Sequence, residues 1–196
     1  MRFIIHELAY ERPLASGRFR YDTGLIEHWR LTIAGDGYQF LRIDLDGRAV
    51  TGETFLAHIT LDGDGRVERL SFRYWANGPA TVGNLLLAGQ TATLAVDVGS
   101  ERLEDELILP ADYQLWLPTA AGLGLLLQNR WERATAVHLP TRPPFRLNQI
   151  ELRRELNPAD GSVIVQGWTG WLNKYGWPEK VVVGEAAAVD GRAIWY

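Results

Sequence analysis

Few side chains in this sequence have the types and spacing that chemistry requires. Serine occurs at Ser16, Ser71, Ser100 and Ser162, none of them inside a G-x-S-x-G nucleophile elbow. His6, His28, His58 and His138 are far apart, without the H-E-x-x-H pair that seats zinc on one helix face. His28 and His58 fall on the polar parity of strands that could be next-but-one neighbours, where a solvated histidine is the commoner outcome. Asp62-Gly63-Asp64-Gly65 invites a calcium reading, but Arg66 stands where a third oxygen ligand is needed and no bidentate glutamate follows at loop spacing. A turn accounts for these residues. Gly122 and Gly124 lack the third glycine or lysine of a phosphate loop. With no cysteine, disulfides, thiolate metal sites and cysteine nucleophiles drop out as well. No motif assigns a catalytic residue, a metal or a cofactor.

Asp105 is a different case. It shares the apolar parity of Leu103, Leu107 and Leu109, and a carboxylate facing a core must be paired, hydrogen-bonded or protonated. A buried partner such as an arginine is the simpler expectation; orienting a polar ligand group is the functional one.

The remaining excess is aromatic. Tryptophan occurs at positions 29, 75, 116, 131, 168, 171, 177 and 195. VQGWTGWLNKYGWPEK, from Val165 to Lys180, holds three of them around a turn at Asn173-Lys174-Tyr175-Gly176. Trp168 and Trp171 are three positions apart, so on a regular strand they point to opposite faces and one of them faces the interior. Burying both would need a bulge at Gly170 or a second packed face.

The elements that must position these residues read as strand, turn, strand. HWRLTIA places Trp29, Leu31 and Ile33 on one face, and TFLAHITL places Phe55, Ala57, Ile59 and Leu61 likewise; a period of two marks half-buried strands. YQFLRIDL switches parity, which predicts a bulge near Phe40. Further strands are predicted in RVERLSFRYW, TVGNLLLA, TATLAVDV, RLEDELILP, LNQIELRREL, SVIVQGWTGWL, WPEKVVVGE and AIWY. Short Gly/Asp turns and no βαβ rhythm predict a mainly β protein, a curved antiparallel meander of about ten strands. Such a sheet forms a β-roll or half-open barrel, here as one domain over 1–196. The first 25 residues are expected to pair at an edge or cover an end. A short apolar helix or loop is predicted around 117–130, with Pro118 in its first turn and Thr119 to Gln128 following. Leucines on nearly every helical face imply burial on several sides, as a plug or a lid.

Composition narrows the partners. Hydrophobic residues make up 46% and charged residues 22%, with a formal charge of −4, so nothing marks a nucleic-acid footprint. MRFIIHELAYERP has too short an apolar run for a signal core, and no stretch approaches a membrane span, so a cytoplasmic protein is expected.

The order of ETFLAHITLDGDGRVERLSFRYW, LPTAAGLGLLL and LNKYGWPEKVVV resembles the bacterial glycolipid-binding proteins of spiral β-roll fold. It is also similar to lipoprotein carriers of the LolA/LolB type. The likeness spans about Leu25 to Glu185 and is one of element order. It implies a hydrophobic cavity for a lipid or glycolipid, covered by the inserted segment. With no signal core expected in MRFIIHELAYERP and no cysteine for lipid attachment, a periplasmic carrier or outer-membrane receptor is not the expectation.

Strand parity proposes the wall and lid of that cavity: Phe72, Tyr74, Leu94, Leu107, Trp116, Leu126 and Trp168, with Asp105 as the polar contact. The leading expectation is non-catalytic binding of an apolar or amphipathic small molecule. A structural domain with a filled core, its aromatic faces pairing two copies into a homodimer, ranks second. An enzyme on a hydrophobic substrate ranks third, since it would need convergent ionisable groups in the interior.

Overall fold

Alternation in the first half of the chain becomes eight successive strands in the computed structural model, which describes residues 8–183 and 187–196. They are β1 (Arg12–Tyr21), β2 (Ile26–Ile33), β3 (Gln39–Gly47), β4 (Glu53–Leu61), β5 (Val67–Ala76), β6 (Thr81–Ala88), β7 (Thr91–Val98) and β8 (Glu101–Ile108). An insert follows, made of β9 (Tyr113–Trp116), α1 (Ala120–Gln128), β10 (Arg133–His138) and β11 (Asn148–Arg153). The chain then returns through β12 (Glu155–Leu156), β13 (Val163–Val165), β14 (Trp168–Leu172), β15 (Pro178–Val183) and β16 (Ala187–Trp195). The protein is thus mainly β, with one large antiparallel sheet in the order β12-β13-β14-β15-β16-β1-β2-β3-β4-β5-β6-β7-β8. The end strands β12 and β8 do not pair with each other, so the sheet is not a closed barrel.

Three expectations need correction. Within the first 25 residues, Arg12–Tyr21 do not form an edge: β1 lies inside the sheet, between β16 and β2, so the last strand closes onto the first. Sequence separation is no barrier to that pairing once the intervening strands have turned the chain back. The bulge near Phe40 is absent, because β3 pairs without a break from Gln39 to Asp46 with β2 and from Gln39 to Gly47 with β4. Phe40 simply faces outward, its ring 5.7 Å from that of His58 and under the Arg42 guanidinium. Finally, β9 and β10 are parallel neighbours with α1 between them, a βαβ unit within a meander.

Register separates the two faces cleanly. Trp29, Ile43, Ala57, Phe72, Gly83 and Val96 are successive cross-strand partners on the inner face. A Cβ on Gly83 would lie 2.1 Å from the Phe72 ring, so glycine is what lets that ring lie flat on the sheet. The adjacent row, Arg30, Arg42, His58, Ser71 and Asn84, faces outward. There the Glu11 carboxylate accepts from Arg42 Nη2 and Thr32 Oγ1, each at 2.6 Å, and all three side chains are buried.

α1 and the three-stranded sheet β11-β10-β9 belong to the same buried core as the inner face. Thr119 caps the helix, its Oγ1 accepting from Gly122 N–H at 2.8 Å, and Pro118 stands one residue before the cap rather than in the first turn. Every residue from Ala120 to Leu127 is buried. Two glycines cost about 1 kcal/mol each in helix propensity. Four buried leucines contribute about 1.5–3 kcal/mol apiece, so burial decides the conformation. The glycines are packing requirements: a Cβ on Gly122 would meet Leu117 O at 2.1 Å, and one on Gly124 the Trp177 ring at 2.7 Å.

Candidate functional site

The expected wall residues separate into four places. Phe72 and Tyr74 meet through Phe145, at ring distances of 4.7 and 5.5 Å, where the segment 139–147 folds over β5. Arg142 of that segment pairs with Glu53 at 2.7 Å, and Glu53 also accepts from the Tyr74 hydroxyl at 2.9 Å. Leu94 stands opposite Asp105 across β7 and β8, and Leu107 opposite Ala92. Asp105 is half-buried and accepts from the Leu147 backbone N–H at 2.9 Å, so its partner is a main-chain donor rather than an arginine. Trp116 meets Trp168 edge-on at 5.5 Å, while Trp171 lies on the opposite side of its strand under Lys180. The register shift in this hairpin falls at Trp171/Leu172, one residue after Gly170.

Two ionisable groups do converge in the interior, and parity could have found them. Glu27 shares the inward face of Trp29 and is fully buried. Tyr21 donates its hydroxyl to Glu27 Oε2 at 2.6 Å, and the Ala120 and Ala121 N–H groups donate to the same carboxylate at 2.9 and 2.7 Å. Burial pushes the Glu27 carboxyl above its ordinary value, against the lowering effect of these donors. Burial and the neighbouring carboxylate push the Tyr21 phenol well above its own. Both Glu27 oxygens are occupied by the protein's own donors. Its chemistry is to clamp the positive end of α1 to β2.

Leu126, the fourth place, borders a cleft of about 720 Å³ between the β4–β5 turn and the β9-α1-β10 unit. Its floor is apolar: Leu87, Leu115, Leu125 and Leu126 are buried, and Val67 and Trp131 are half-buried. The Trp131 indole N–H donates to Leu126 O at 3.0 Å, which fixes the ring's direction. The rim is charged, with Asp62, Asp64 and Glu68 facing Arg66, Arg130 and Arg133. Asp62 itself is committed to its turn, accepting from the N–H groups of Asp64 and Arg66 at 2.9 and 2.8 Å.

A second depression, of about 760 Å³, adjoins the first and shares Arg130, Trp131 and Arg133 with it. Of the eight expected wall residues, only Leu126 lines either of these two clefts. Trp131 and the arginines were missed because neither strand parity nor a motif marks them; Arg133 meets Arg153 only when β10 is placed beside β11. Among the described residues no group of three His, Asp or Glu side chains could hold a metal ion. No helix among them is long and apolar enough to cross a membrane.

No family model and no curated protein matches the chain. Two solved structures do. One is a DUF1089 family protein from Pseudomonas aeruginosa, 14% identical, with a TM-score of 0.44 and coverage of 91% of this chain and 95% of that one. The other is a β-barrel-like protein of the domain of unknown function DUF1849 from Brucella abortus, 10% identical, with a TM-score of 0.41 and coverage of 94% and 95%.

Proposed function

We propose that the protein binds, without transforming it, an amphipathic small molecule of lipid or glycolipid type in the cleft beside Trp131. One observation carries this reading: a concavity of about 720 Å³ with a leucine and tryptophan floor and a rim bearing both signs of charge. Its size falls within the roughly 300–1,000 Å³ of small-molecule sites, and its lining is mixed, with as many charged side chains as large apolar ones, which suits an amphipathic rather than a wholly apolar ligand. An acyl-type chain on Leu87, Leu125, Leu126 and Trp131 would leave its polar end at Arg66, Arg130 and Arg133.

The test is calorimetric titration of monomeric dodecyl maltoside into the wild type, Val67→Asp and Trp131→Ala. Saturable binding is expected in the wild type, weakened about tenfold or more by either change, the equivalent of about 1.4 kcal/mol. A wild type that takes up no dodecyl chain, neutral or charged, sinks the proposal.

A further inference from the structure

The adjoining depression carries a charge pattern that folding does not call for. Four arginines, Arg130, Arg133, Arg153 and Arg154, line it against one acid, Glu132, in a chain whose formal charge is −4. Arg133 and Arg153 are direct cross-strand partners of β10 and β11. Like charges placed directly opposite on paired strands repel and destabilise the pair. Their relief is partial. Arg153 leans on Glu155 at 3.3 Å, with both side chains more than half exposed, and Arg154 Nη1 reaches only Asn129 O at 3.5 Å. Arg130 and Arg133 have no ion pair or side-chain hydrogen bond among the described residues.

We infer that this groove receives a phosphate group. Guanidinium forks match phosphate oxygens in pairs, and an anion between Arg133 and Arg153 converts a repulsive cross-strand pair into an attractive bridge. Arg130, Trp131 and Arg133 border both depressions, so a chain lying on the apolar floor of the first sets its head group in the second. As a lipid head group, the phosphate rests on the amphipath reading above; as a free ion or a soluble monoester, it does not. The same oxygens would be recognised in either case.

The experiment titrates dodecyl phosphate, dodecyl maltoside and inorganic phosphate, each by calorimetry, into the wild type and into Arg133→Gln/Arg153→Gln. Two screened ion pairs, each worth a few-fold, set the expected preference for dodecyl phosphate over dodecyl maltoside at about tenfold in low salt. That preference should shrink as salt is added and vanish in the double variant. The variant's own melting temperature should hold or rise, because a like-charge pair has been removed. Equal affinity for the two detergents in the wild type, or a preference that survives in the variant, overturns the inference. Arginine-dependent binding of inorganic phosphate with no binding of either detergent keeps the anion site and discards the amphipath reading. Binding of none of the three discards both.

Discussion

Replacing Glu27 by alanine removes the acceptor of the half-buried Tyr21 hydroxyl and of the buried Ala120 and Ala121 N–H groups, of which Ala120 keeps the Tyr21 oxygen at 3.3 Å. Each orphaned donor costs about 1–3 kcal/mol, which puts the sum for the Tyr21 hydroxyl and the Ala121 N–H at about 2–6 kcal/mol. Against that stands the relief of a fully buried carboxylate whose own burial opposes its charge. The net expectation is about 3 kcal/mol at neutral pH, in the lower half of that sum, and a large share of the roughly 5–15 kcal/mol that holds a typical domain folded. Urea unfolding followed by circular dichroism reads this directly as a fall in midpoint at unchanged slope. Glu27→Gln supplies a second reading that does not depend on the alanine variant folding. Because the folded-state carboxyl lies above its ordinary value, the stability it adds is fully present below about pH 4.3 and is lost as pH rises through the raised value. Wild-type stability relative to Glu27→Gln should therefore decline with rising pH across that window. A loss below about 1 kcal/mol in Glu27→Ala, smaller than a single lost cap would give, would refute the clamp.

Two further changes probe the packing and the outer face. Gly124→Ala gains about 1 kcal/mol in helix propensity but drives a methyl into the Trp177 ring, 2.7 Å away. Overpacking of about 1–3 kcal/mol should win, giving a lower melting temperature; a rise would show that Trp177 can yield. Burial raises the Glu11 carboxyl, but the Arg42 and Thr32 hydrogen bonds and the Arg42 charge outweigh it, holding the group below its ordinary value. Its stabilisation is present above the usual carboxylate range and lost as pH falls through the lowered value. Arg42→Ala should cost about 3–5 kcal/mol and move the acid-unfolding midpoint to higher pH; an unmoved midpoint contradicts the pairing.

Local alternation in the sequence determined most of the sheet. Trp29, Ile59 and Leu107 fall on the inner parity because a strand has a period of two, a property each segment carries alone. Turn chemistry was equally local: the Asp62 and Asn173 side chains each accept from two following N–H groups. The helix was legible because its leucines crowd every face, and its glycines looked like faults only until Leu117 and Trp177 were seen against them. Other features belong to the tertiary structure. The pairing of β1 with β16 joins residues as far apart as Ala15 and Trp195, and nothing within either segment specifies the other. The short strands β9 and β10 lack the length for a periodic signal and form because α1 bridges them. Glu27 carried the parity of an interior residue, yet its role depends on a helix N-terminus 93 residues away in the chain. The arginine groove has the same origin: Arg130 and Arg133 come close to Arg153 and Arg154 only through a strand pairing, and electrostatic meaning is a property of distance in space.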